Sequence, residues 1–271
     1  MSRIANLYSN EVKQQFKVLY ANWEPGGPIN LGDYGSMAGN IFIPQGNLQQ
    51  DFPEFHDVVI KILEDPLKDQ KEFISEGGVD VNLSAKGTVN IEGVTVKASL
   101  DINFSHKDSI FFNAAECSTT RISNKAKIGE VLKEIMKKKD GRWLKEYCVV
   151  TDLVTAGRTI IAISASDNSG ISFAADSPAI ENINLADASV KLGLTSQRSI
   201  GYKVEAVEGL IILLGLCKMK NPFLWWGGGF TPRTLKMTNT MINKIEDSPG
   251  IETEKSADDL IFGQLGKEEL F

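Results

Sequence analysis

Between residues 78 and 104 the chain alternates apolar and polar side chains almost without a break. Val79, Val81, Leu83 and Ala85 alternate with Asp80, Asn82, Ser84 and Lys86. After a turn near Glu92 and Gly93, Val94, Val96, Ala98, Leu100, Ile102 and Phe104 alternate with Thr95, Lys97, Ser99, Asp101 and Asn103. A period of two places successive side chains on opposite faces of an extended backbone, so this stretch predicts strands with one apolar and one polar face. A third run follows at Ile110, Phe112 and Ala114. The run over 94–104 is long against the ~5–6 residues usual for a soluble strand.

The same reading predicts more strands downstream. Residues 147–166 alternate, with a turn expected at 156–157, and Ile171 and Phe173 begin a short strand. Residues 174–187 read as a loop, and Ala188, Val190, Leu192 and Leu194 alternate again. Residues 199–207 and 210–219 predict a hairpin around Glu208 and Gly209. Near the N-terminus, residues 4–20 allow a short helix, and the Gly-, Pro- and Asn-rich stretch 22–50 predicts tight turns joining strand pieces at Leu31 and 41–43. Phe55, Val58, Val59, Ile62 and Leu63 fit a short amphipathic helix ended before Pro66. Residues 125–139 predict a helix with Ile128, Val131, Leu132, Ile135 and Met136 as its apolar stripe. A last short helix is expected over 234–245, after an apolar loop at 222–232.

The chain of 271 residues is long enough to bury a sizeable core. Its net charge of −6 and pI near 5.2 argue against a general nucleic-acid binder. All of that charge sits at one end. Residues 246–271 hold Glu246, Asp247, Glu252, Glu254, Asp258, Asp259, Glu268 and Glu269 against Lys255 and Lys267, which leaves residues 1–245 net neutral. Cys117, Cys148 and Cys217 are far apart and odd in number, so no disulfide framework is expected and a reducing compartment is favoured. The N-terminus (MSRIANLYSNEVKQQF) has no uninterrupted apolar core of a signal peptide. The longest apolar run, LIILLGLC at 210–217, falls well short of the ~20 residues of a spanning helix. Any action on a membrane must then be conditional or use strands.

The sequence offers little for catalysis. His56 and His106 have no Cys, His or carboxylate at metal-ligand spacing, so neither a metal nor a cofactor is expected. No nucleophile signature surrounds any cysteine. Gly227, Gly228 and Gly229 lack the Lys-Ser/Thr of a phosphate loop and read as a packed turn beside Trp225 and Trp226. The chain reads as non-enzymatic.

Two features carry a sharper and a blander reading. Lys125, Lys127, Lys133, Lys137, Lys138, Lys139 and Arg142 cover the polar side of the predicted helix and its end. They are either a solvated face or a contact for anionic lipid headgroups, each adding ~1 kcal/mol near a charged surface. The acidic tail is either a solubilising extension or a docking element. It carries Leu260, Ile261, Phe262, Leu265, Leu270 and Phe271, too many large apolar side chains for pure solvation. SADD at 256–259 would cap a short docking helix starting at Leu260, and SPGIETEKSADD at 248–259 has the composition of an exposed, protease-accessible linker.

Three stretches together resemble the gasdermin family, in particular its short bacterial members. EGGVDV at 76–81, running into the alternation that ends at Phe104, is similar to the start of the family's first membrane-inserting hairpin. RWLKEYCVVTDLVT at 142–155 is similar to the strand that follows a lysine-rich helix and leads to the second hairpin. SIGYKV at 199–204, continued through Leu216, resembles the final core strands. The likeness spans 74–220. It implies an α+β fold with a twisted antiparallel β-sheet core and several short helices, as in a gasdermin N-terminal domain. It also implies a pore-forming domain over 1–245 and an autoinhibitory tail over 246–271. A partner protease would remove the tail, and the freed protein would pass from a cytoplasmic monomer to an oligomeric β-barrel in the cell membrane, with Val94, Val96, Ala98, Leu100, Ile102 and Phe104 in a membrane strand. Bacterial members often carry a lipid-modified cysteine near the N-terminus, whereas the first cysteine here is Cys117. The competing expectation is a sandwich-type binding or scaffold protein whose tail docks a partner.

Overall fold

The computed structural model describes residues 2–23, 25, 27–75, 78–86, 97–157, 159–176, 191–206, 209–220 and 260–266. The Ser2 hydroxyl accepts the N–H of Ala5 and starts the first helix, α1 (Arg3–Phe16). Lys17, at φ 50°, ends it. The chain then enters β1 (Leu19–Ala21), so the helix expected to reach residue 20 stops earlier. The Gly- and Asn-rich stretch folds into β2 (Asp33–Ala38) and β3 (Ile41–Asn47), a hairpin, with Leu31 in the turn before it. Asn47 caps α2 (Leu48–Asp51), and Pro53–Phe55 forms a single 3-10 turn.

The amphipathic helix expected over 55–63 does not form. Val58, Val59 and Ile60 are β-branched, which disfavours helix. The Asn124 side chain also holds this backbone extended: its amide donates to the Val59 carbonyl at 2.9 Å and its oxygen accepts from the Lys61 N–H at 2.9 Å. The segment leads instead into β4 (Ile62–Glu64), then β5 (Asp69–Ile74), β6 (Val79–Lys86), β7 (Lys97–Phe104) and β8 (Ile110–Ile122). Next come α3 (Lys125–Lys137), β9 (Cys148–Ala156), β10 (Thr159–Ser164), β11 (Ser169–Asp176), β12 (Lys191–Arg198), β13 (Ile200–Ala206), β14 (Leu210–Lys220) and β15 (Ile261–Gln264). β11 runs three residues into the loop expected from 174. Val94, Val96, Trp225, Trp226, Leu270, Phe271 and the helix expected over 234–245 lie outside the described residues.

Pairing is antiparallel throughout. The larger sheet runs β1-β14-β9-β8-β10-β13, with β4 and β5 on the remaining edge of β8 and β15 on β14. The smaller runs β12-β11-β7-β6. The fold is thus α+β, dominated by antiparallel sheet.

Two expected turns are absent. Thr155 stands opposite Ser118 and Thr159 opposite Ala114, four residues on in one strand and four back in the other. Residues 156–157 therefore interrupt one continuous strand path and do not reverse it. The Gly157 N–H still donates to the Ala115 carbonyl at 3.0 Å, and the facing Glu116 takes φ 52°. Likewise β13 and β14 do not pair with each other. β13 pairs with β10 and β14 with β9, so the hairpin expected around 208–209 is a second interrupted path. Local interruptions of this kind bend strands, and here they line up across neighbouring strands.

α1 covers one face of β8, β10 and β13, with Tyr8, Val12 and Phe16 against Phe112, Ile163 and Tyr202. α3 covers β9 and β14 with Ile128, Leu132 and Ile135 against Val149 and Met219. The other face of the same two strands packs under Tyr20, Ile29 and Phe42. Strands covered on both faces do not alternate in burial, which is why β8 and β10 read as near-continuous buried runs.

Candidate functional site

Four of the apolar side chains expected to dock from the tail, Leu260, Ile261, Phe262 and Leu265, lie along the end of β14. That strand is flanked by β9 on one edge. Its other edge is shared. β1 pairs with Leu213–Gly215, and β15 pairs with the next stretch: Gln264 opposite Cys217, Gly263 opposite Lys218, Phe262 opposite Met219 and Ile261 opposite Lys220. The Leu265 N–H adds a bond to the Leu216 carbonyl at 2.8 Å, and the Lys220 ammonium donates to the Gln264 carbonyl at 2.8 Å. The tail thus docks as a strand, where a capped helix was expected. A strand satisfies the open N–H and C=O groups of the β14 edge, which a helix cannot do.

Alternation in β15 sends side chains to both faces of the sheet. Leu260 and Phe262 join the cluster beneath α3, and Leu265 joins the cluster of Tyr20, Phe42 and Leu216 on the opposite face. Two glycines shape the seat. A Cβ on Gly129, in the middle of α3, would lie 2.6 Å from the Phe262 Cβ. Gly266, at φ 82°, closes the segment; a Cβ there would lie 2.7 Å from the Lys17 carbonyl oxygen, at the end of α1. A glycine interrupting an apolar stripe is the signal the sequence carries for Gly129. Nothing beyond ordinary turn chemistry marks Gly266.

The basic residues of α3 and the loop after it are drawn into ion pairs. Lys125 meets Asp152 at 2.6 Å, and the Thr151 hydroxyl donates to the same carboxylate oxygen at 2.7 Å. Lys127 pairs with Glu130 and Lys137 with Glu134, each at i,i+3. Glu54 accepts from Lys138 at 2.6 Å and from Arg142 at 2.7 Å, while the Arg142 Nε donates to Asp140 at 2.7 Å. The Arg142 and Lys138 bonds hold the Glu54 carboxyl down to about 2. Lys133 is half-buried and Lys139 exposed.

Of the expected membrane-strand residues, Leu100, Ile102 and Phe104 are buried, with Phe111, Ile160 and Ile171 around them. Ala98 occupies β7 opposite Ala85 and Ala175. All three cysteines are free and buried. Burial pushes the Cys117 thiol up to about 11 and the Cys148 thiol up to about 12, and raises Cys217 too, so none is poised as a thiolate. Among the described residues no group of three or more His, Cys, Asp or Glu is placed to hold a metal, and no helix is long and apolar enough to cross a membrane. A shallow groove of about 460 Å³ lies against the extended segment before β4, lined by Leu31, His56, Val59 and Ile62 among others.

No protein-family model matches this chain, and no curated protein matches it.

Proposed function

We propose that this protein is an autoinhibited pore former of gasdermin type. A protease removes the C-terminal segment, and the freed protein leaves the cytoplasm, oligomerises and spans the cell membrane as a β-barrel. The observation that carries the reading is the docking of residues 260–266 as an edge strand, anchored by Phe262 against Gly129. A tail that served only solubility would have no use for a matching socket in a helix. Residues 221–259 separate this strand from β14, and a cut among them frees it.

The strands supply the second support. β6 with β7 and β11 with β12 form two antiparallel pairs that lie side by side through β7 and β11. Each strand is eight residues long in its described part, just under the ~9–11 residues of a tilted membrane strand. An outer-membrane-type barrel presents an apolar band ~25 Å tall. Closure of many such pairs would leave no unpaired edge in the bilayer.

The test is dye release from anionic liposomes by the full chain carrying a protease recognition sequence within residues 248–259. The uncut protein leaves vesicles intact and the cut protein empties them. Vesicles that stay sealed with the cut protein overturn the reading; loss of a partner protein on cutting, with vesicles sealed, would instead favour a binding protein whose tail is a docking peptide.

A further inference from the structure

We propose that the β14 edge vacated by β15 is taken by β4 of a second copy, so that the tail blocks assembly by occupying the place of a neighbouring subunit's strand. This rests on tail release as argued above, and is independent of whether the assembly then perforates a membrane.

Four observations carry it. Direction comes first. β4, β8, β9 and β14 are successive antiparallel neighbours, so β4 runs antiparallel to β14, as β15 does. A second copy that continues the sheet without inverting it would present β4 in the orientation β15 now has. Length comes second. Because β1 already holds Leu213–Gly215, the remaining edge accepts a strand only over about the four positions β15 uses. β4 is three residues long and is followed by Pro66, which has no N–H to continue a ladder.

Exposure is third. Among the described residues β4 has β8 on one edge and no strand on the other. Ile62 and Leu63 are 58% and 54% exposed, and Val59 and Leu67 beside them are 74% and 77% exposed. A sheet edge with that much apolar surface is a template for pairing with another chain. Chemistry is fourth. In the register of β15, Ile62 replaces Ile261 opposite Lys220, and Leu63 replaces Phe262 opposite Met219, in front of Gly129. Glu64 then replaces Gly263 opposite Lys218, an opposite-charge cross-strand pair. The tail sequence Ile-Phe-Gly is in this sense an uncharged imitation of Ile-Leu-Glu. Because the two surfaces differ, the contact is head-to-tail and propagates to a ring or an open chain.

The experiment uses the full chain with the same protease site in residues 248–259. Copies carrying Leu63→Cys are mixed with copies carrying Met219→Cys under mild oxidation, before and after cutting. Within one copy β4 and β14 are separated by β8 and β9, which puts them roughly 14 Å apart at ~4.8 Å per strand, beyond disulfide reach. A bond between the two introduced thiols therefore joins two copies. Cross-linking after cutting and none before is expected. Equal cross-linking in both states, or none after cutting, overturns the proposal. Glu64→Lys and Lys218→Glu are each expected to lower self-association of the cut protein about tenfold, measured by sedimentation, with the double charge swap restoring it. A double swap as weak as either single change overturns the pairing. Dye release run in parallel separates the two readings. Cross-links with sealed vesicles would sink the pore and leave this contact standing. Leakage indifferent to charge reversal would sink the contact and leave the pore.

Discussion

Gly129 stands inside α3, where a glycine costs about 1 kcal/mol relative to alanine. The helix accepts that loss at the one position where a Cβ would meet Phe262. Gly129→Ala should therefore act in opposite directions on two parts of the molecule. The helix itself gains stability, while the tail loses its seat. Hydrogen exchange of the amides at 261–265 is expected to speed up by an order of magnitude or more, with α3 exchange unchanged or slower. Unchanged tail exchange would mean that Phe262 is accommodated elsewhere. At this scale the tail was legible, while its socket showed only as a glycine in the apolar stripe of α3, with nothing to say what fills it. Leu260, Phe262 and Leu265 announce themselves as apolar side chains in an acidic segment. A glycine has no side chain with which to declare a partner 133 positions away in sequence (262 against 129).

Elements that stand on local pattern formed as read, and those that depend on partners did not. α3 follows from its apolar stripe, and β6 and β7 from strict alternation. The segment 55–63 has a helix-like spacing of apolar side chains, yet Asn124 captures its backbone from another element. The breaks between β9 and β10 and between β13 and β14 look like reversals because a glycine near each is compatible with either; only the register across the neighbouring strands shows the paths running on. The same dependence on partners holds the end of α3. Glu54, in the turn before β4, binds Lys138 and Arg142 just past that helix. Its carboxyl is lowered from 4.5 to about 2, chiefly by the bonds from Arg142 and Lys138. A depressed carboxylate contributes stability that is complete above its unfolded value and is lost as pH falls through the folded one. The window here lies between 4.5 and about 2. The urea midpoint is expected to fall between about pH 5 and about pH 2.5, and Glu54→Gln should flatten that fall. An equal pH dependence in the variant would assign the acid sensitivity to other carboxylates.

Across the whole molecule, two long bent strand pairs carry everything from the core to the smaller sheet. β4, β5 and β6 with β7 and β8 form one, and β9, β10 and β11 with β12, β13 and β14 the other, with β8 against β9 and β10 and β7 against β11 joining them. The outermost strand path of the first pair begins at β4, and that of the second ends at β14. The tail sits on the second. Its grip is modest in extent: four paired residues, Phe262 and Leu265 on opposite faces, and the turn at Gly266. Such a contact holds well while it is intramolecular and poorly once it must form between separate chains, because cutting the connection removes the effective concentration that the tether supplied. A cut in the connection would then release the strand without changing a single docking contact. It follows that the cut protein should take its tail back when the tail is supplied in excess. A synthetic peptide of residues 256–271 is expected to bind the cut protein, read by fluorescence anisotropy, and to reverse its self-association. The uncut protein, whose seat is filled, should bind it at least tenfold more weakly. Phe262→Ala in the peptide removes roughly 2 kcal/mol of apolar burial, which is about thirtyfold in Kd. A peptide that binds cut and uncut protein alike would mean that residues 260–266 are held by something other than the β14 edge.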